Sequence, residues 1–185
     1  MFRPIFAAVA SALVLIPTAA LAGRMIYSYD SATPITQKMT ENGLTFVFDK
    51  HIMSTRVVKL VETQNVGEAD VKPASEHDLG GSPTKLMGSE QAGSHDLYEI
   101  VQAGDGAALV RALCPGAVRG FLAIGPLKPD RALKVYAFGR DAAGAARYCM
   151  TLDYEFHGAW ALPPTDLPQP DRSDRFNDAP QNRRY

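Results

Sequence analysis

The sequence predicts an α+β fold: a mainly antiparallel sheet of about six strands, closed by a three-stranded meander, with one buried helix and one disulfide. Three observations carry this. Residues 118–157 read as three consecutive strands, residues 106–114 as an apolar helix, and Cys114 and Cys149 are the only two cysteines of a chain that begins like an exported protein.

The N-terminus sets the compartment. Residues 1–22 (MFRPIFAAVASALVLIPTAALA) place Arg3 before an apolar run and Ala20-Leu21-Ala22 before Gly23, the pattern of a signal peptide with a small-x-small cleavage site. Pro17 breaks the run, which is short for the roughly 20 residues of a spanning helix, and no cysteine follows the cleavage site to take a lipid. The expected mature chain is therefore 23–185, periplasmic or secreted, with no membrane span once the leader is gone. Loss of Arg3 leaves 18 basic against 20 acidic residues, a net charge of −2, which argues against nucleic acid or an anionic membrane as partner. In an oxidising compartment two cysteines are most simply one disulfide, Cys114 to Cys149.

Along the mature chain, residues 25–29 (MIYSY) suit an edge strand or extended arm. Thr33-Pro34 puts a capping hydroxyl before a proline, so two turns of helix follow over 34–41 and end at Asn42-Gly43. Residues 44–49 alternate Leu44, Phe46 and Phe48, and 55–63 are β-branched, which predicts a hairpin. From 65 to 95 the composition turns to Gly, Ser, Pro and acid: a long polar excursion with one short helix near 83–87, and the natural border of any binding surface. Residues 97–101 form a short strand. Asp105 then caps an almost wholly apolar helix, stopped by Pro115-Gly116 directly after Cys114.

The meander follows. Residues 118–127 end at Pro126; Pro129-Asp130 supplies a turn; and 133–140 (LKVYAFGR) carry an aliphatic face and an aromatic one, so that both are covered. Gly144 turns the chain again, and the last strand alternates Tyr148, Met150, Leu152, Tyr154 and Phe156 with Arg147, Cys149, Thr151, Asp153, Glu155 and His157. Cys149 thus lies on the polar face. To bond Cys114, either the helix must approach that face, or the strand must bulge near Cys149. Residues 161–185, rich in proline and charge, read as a disordered tail, so one domain spans 23–160.

Chemistry-bearing clusters are sparse. Ser82 and Ser89 match no nucleophile elbow, and Cys149 in a disulfide is no nucleophile. His51, His77, His95 and His157 have no ligand spacing; the His77-Asp78 and His95-Asp96 pairs lie in the polar stretch, so no metal or other cofactor is expected. Gly104-Asp105-Gly106 is a helix entry closed to anions by its own acid. The one face worth weighing is Asp153, Glu155 and His157, roughly 7 Å apart from one to the next along the strand. The sequence thus favours a non-enzymatic binding or interaction module of the cell envelope, acting on a protein, glycan or small ligand. A hydrolase or inhibitor-like protein using the polar face of 146–157 is the alternative, and a purely structural envelope component a third.

Overall fold

The computed structural model describes residues 23–50, 54–62, 67–88 and 95–162. They form a closed eight-stranded antiparallel barrel in which each strand pairs with the next in sequence and the last returns to the first. In chain order the elements are β1 (Gly23–Ser31), α1 (Pro34–Thr40), β2 (Gly43–Lys50), β3 (Thr55–Glu62), β4 (Glu68–Pro73), α2 (Glu76–Leu79), α3 (Pro83–Met87), β5 (Asp96–Ile100), α4 (Gly106–Leu113), β6 (Arg119–Ile124), β7 (Leu133–Arg140) and β8 (Ala146–Ala161). The expectation of an α+β fold with about six strands is overturned: helix is only about 19% of the described residues, and the eight strands close on themselves as a barrel.

Two local facts account for the error. β4, sequence EADVKP, is too polar to stand out, yet it buries Ala69 and Val71 by strict alternation. β1, expected at an edge, pairs along its length with β2 on one side and with the C-terminal half of β8 on the other. Closure itself is a pairing of residues more than 100 apart, which no local pattern reports. It also pairs β1 and β8, the first and last strands, which in an open sheet would be exposed edges prone to association.

The barrel interior is filled with side chains, as the geometry of eight strands allows. Tyr27 and Tyr29 from β1, Phe46 and Phe48 from β2, and Tyr154 and Phe156 from β8 form a continuous series of edge-to-face rings with centroids 4.7–6.4 Å apart. Val57, Leu60, Val71, Ile100, Leu122, Ile124 and Val135 complete the lining. The outer wall carries cross-strand ion pairs: Lys59 with Glu68 and Asp70, Lys72 and Arg119 with Glu99, and Lys134 with Asp153. Apolar inside and charged outside is the inverse of a lipid-facing barrel. Among the described residues no helix is long and apolar enough to cross a membrane.

One end of the barrel is closed by helices. Thr33 caps α1 by accepting the Thr36 N–H, as the sequence predicts, and the helix buries Thr36 and Thr40, the latter 3.3 Å from the Tyr154 hydroxyl. The positive φ that ends this helix falls on Glu41, at 47°, one residue before the expected Asn42-Gly43. α4 inserts Val110 and Leu113 into the core beside α1, while Ala108, Arg111 and Ala112 stay exposed, so it is half-buried rather than buried all round. Asp105 precedes it but makes no cap; its carboxylate accepts the Glu68 N–H instead and ties α4 to β4.

The disulfide joins Cys114 and Cys149, with Cα atoms 5.4 Å apart. The bulge is the solution the strand adopts: Ala137 pairs with Met150 and Phe138 with Tyr148, so Cys149 is the extra residue of β8. Tyr148 consequently leaves the inner face to which simple alternation assigned it, and packs outside against Phe138. The end of α4 reaches the sheet over two paired glycines, Gly120 and Gly139. A Cβ on Gly120 would stand 2.5 Å from a Val110 methyl, and one on Gly139 2.5 Å from the Cys114 sulfur.

A second apolar cluster lies outside the barrel. Phe121, Ala123, Tyr136 and Phe138 point outward from β6 and β7 and are covered by Leu79, Leu86 and Met87 of α2 and α3. Both faces of β7 are therefore buried, as its aliphatic and aromatic sides suggest. The polar stretch that supplies these helices is no flexible excursion over its described part: Ser75 and Asp78 form a reciprocal cap on α2, and Ser82 caps α3, the short helix expected near 83–87. The predicted leader lies outside the described residues. So does the predicted tail beyond Leu162; Ala161, assigned to that tail, still pairs with Met25.

Candidate functional site

The other end of the barrel has no helix over it among the described residues, and a cleft of about 780 Å³ opens there. The cleft arises from a break in the wall. β3 pairs with β4 only at Lys59, Leu60 and Val61, so Thr55 to Val57 at the start of β3 and Val71 to Pro73 at the end of β4 have no strand partner on that side among the described residues. Pro73, lacking an N–H, cannot complete a rung there. Tyr98 of β5 reaches under the gap, where its hydroxyl accepts the Val57 N–H at 3.2 Å. Burial holds that hydroxyl above the ordinary tyrosine range.

The rim is polar and mostly cationic. Lys50, Arg56 and Lys128 line the cleft with Asp96, beside an apolar floor of Ile124, Leu127 and Leu97. The three cations form no ion pair among the described residues, in contrast to the paired charges of the outer wall. The backbone carbonyl of Lys128 accepts the Tyr29 hydroxyl at 3.4 Å, which anchors the β6–β7 loop to the barrel interior. Burial pushes that hydroxyl up to about 12, so it remains a donor throughout the working pH range.

His95, expected in solvent, sits beside this rim with its ring 5.0 Å from Tyr136. Its Nδ1 is buried with no hydrogen-bond partner among the described residues, and burial lowers its pKa, so the neutral ring is favoured. Its sequence twin His77 is exposed on α2, whose Asp78 is occupied in the cap. His51 and Ser89 lie outside the described residues.

The polar face of β8 divides rather than converges. Asp153 pairs across to Lys134 of β7 at 2.8 Å, whereas His157 turns to Asp30 of β1 at 2.9 Å. Glu155 stands exposed between them, opposite Asp30 in register. All three lie on the outer wall, and among the described residues only Asp153 lines a cleft, beside Thr33 and Pro34, without Glu155 or His157. Among the described residues no group of histidine, cysteine, aspartate and glutamate could hold a metal ion.

Another cleft lies at the helical end between α1 and α4, about 350 Å³, with Leu44, Leu60, Leu109 and Met39 in its walls. Glu62 stands at its edge, its carboxyl raised by burial and by nearby Glu41. The mouth at the opposite end was hidden from sequence reading because it depends on where one ladder stops. Pro73, the first proline after β3, is the only local signal of it.

The fold and site define a small closed β-barrel with a filled interior, whose accessible surfaces are its ends and outer wall. Compared with known protein families, curated proteins and solved structures, the chain matches none.

Proposed function

We propose that this chain is an exported, non-enzymatic binding module of the cell envelope that takes an acidic protein partner at the open mouth of its barrel. The observation behind this reading is the set of cations Lys50, Arg56 and Lys128, unpaired among the described residues, around a cleft of about 780 Å³, where the other described β-strand charges are largely matched across strands. Unpaired charge at a concave rim steers an oppositely charged partner and fixes its register. The filled interior supports the same choice, since it leaves no chamber for an enclosed ligand. Export is supported by the leader pattern and by the disulfide, which belongs to an oxidising compartment. A hydrolase acting from Asp153, Glu155 and His157 gains little support, because two of the three are held by partners on different strands.

Reversing the rim charge tests this. The expected result is that K50E/R56E/K128E weakens binding of a polyglutamate peptide about tenfold or more at low salt, and that added salt weakens the wild-type complex in the same way. Equal binding by the variant, or no binding by the wild type, would overturn it.

A further inference from the structure

The break in the barrel wall does more than expose cations. In an antiparallel ladder the N–H and C=O of one residue point to the same side, and successive residues alternate. The Val57 N–H points into the gap, where the Tyr98 hydroxyl holds it. Thr55, two residues earlier with no bulge between them, therefore directs both its N–H and its C=O into the same gap, and Val57 adds its C=O. β4 cannot meet these groups, since its ladder with β3 ends at Asp70 and Pro73 has no donor to give.

Resting on the binding role assigned to this mouth, we infer that the acidic partner binds as an extended segment, adding a short strand to the edge of β3 at Thr55 to Val57, which no strand covers among the described residues. Main-chain hydrogen bonds to Thr55 and Val57 supply the pairing of a strand-addition site. Charge supplies the choice of partner: Lys50 and Arg56 flank the edge and Lys128 faces it across the cleft, so acidic side chains alternate with apolar ones over Ile124 and Leu127. A polyanion that lacks a peptide backbone meets the cations but not the edge.

The test uses the mature chain and a labelled hexapeptide of alternating glutamate and valine, with two N-methylated forms, each blocking one alternate set of amides. Fluorescence anisotropy is expected to show binding, a loss of about thirtyfold for one methylated form and little change for the other. The Thr55 amide should gain hydrogen-exchange protection in the complex. Thr55→Pro, which removes a donor not used in the pairing with β2, should reproduce the loss while leaving the melting curve in place. If both methylated forms bind like the parent and Thr55 gains no protection, strand addition is refuted, while a loss of binding on K50E/R56E/K128E would still uphold the cationic mouth. If the hexapeptide fails and polyglutamate binds, strand addition again falls alone. If neither binds, both readings fall.

Discussion

Removing the disulfide is the perturbation whose cost follows most directly from the geometry. Cys114 and Cys149 are 35 residues apart, and closing a loop of that size in the unfolded chain is worth about 3.8 kcal/mol at 25 °C on the loop-entropy estimate. The bond spans the β6–β7 hairpin, and it fastens α4 to the bulge of β8 at the helical end, where Cys114 is buried beside Gly139. Cys114→Ala/Cys149→Ala is therefore expected to lose about 3–4 kcal/mol in urea unfolding, or roughly 8–15 °C in Tm for a domain of this size. The reduced wild-type protein retains both sulfurs and separates the lost restraint from the lost volume. It should fall by nearly as much. A loss below about 1 kcal/mol in both would refute the claim that this bond restrains the helical end.

Further outcomes follow from other contacts. Gly120→Ala and Gly139→Ala each drive a methyl into α4, so each should cost about 1–3 kcal/mol by chemical denaturation, against near-neutral effects at exposed Ala108. The Arg119 guanidinium, then Lys72, holds the Glu99 carboxyl below its ordinary value. A depressed carboxyl contributes stability that is present above its unfolded pKa and is lost as pH falls through the folded one. The wild type should thus lose stability on acidification below about pH 4.3, and Glu99→Gln should flatten that part of the curve. An unchanged acid limb in Glu99→Gln would contradict the role given to this cluster.

Much of the strand content was legible because it rests on local patterning. The LKVYAFGR run shows its two covered faces directly, and Thr33-Pro34 marks a helix start by hydroxyl and fixed φ. What escaped depends on distance or on compensation. β4 hid among acidic and basic residues that pair across strands with Lys59 and Glu99, so its polarity resembled a loop. The ring closure of β1 on β8 and the outer apolar cluster under α2 and α3 are tertiary facts. Cys149 illustrates both sides: alternation placed it on the wrong face, and that conflict pointed to the bulge which the strand contains. Of the candidate site residues, the cysteines are joined, Asp153, Glu155 and His157 stay apart on the wall, and the cationic mouth was not anticipated at all.

The most direct measurement is amide chemical-shift mapping of the isotope-labelled mature chain during titration with a polyglutamate peptide. The account predicts saturable shifts confined to Lys50, residues 54–57, residues 96–98 and residues 124–128 around the open mouth. Shifts centred on residues 153–157 of β8, or at the cleft between α1 and α4, would contradict it.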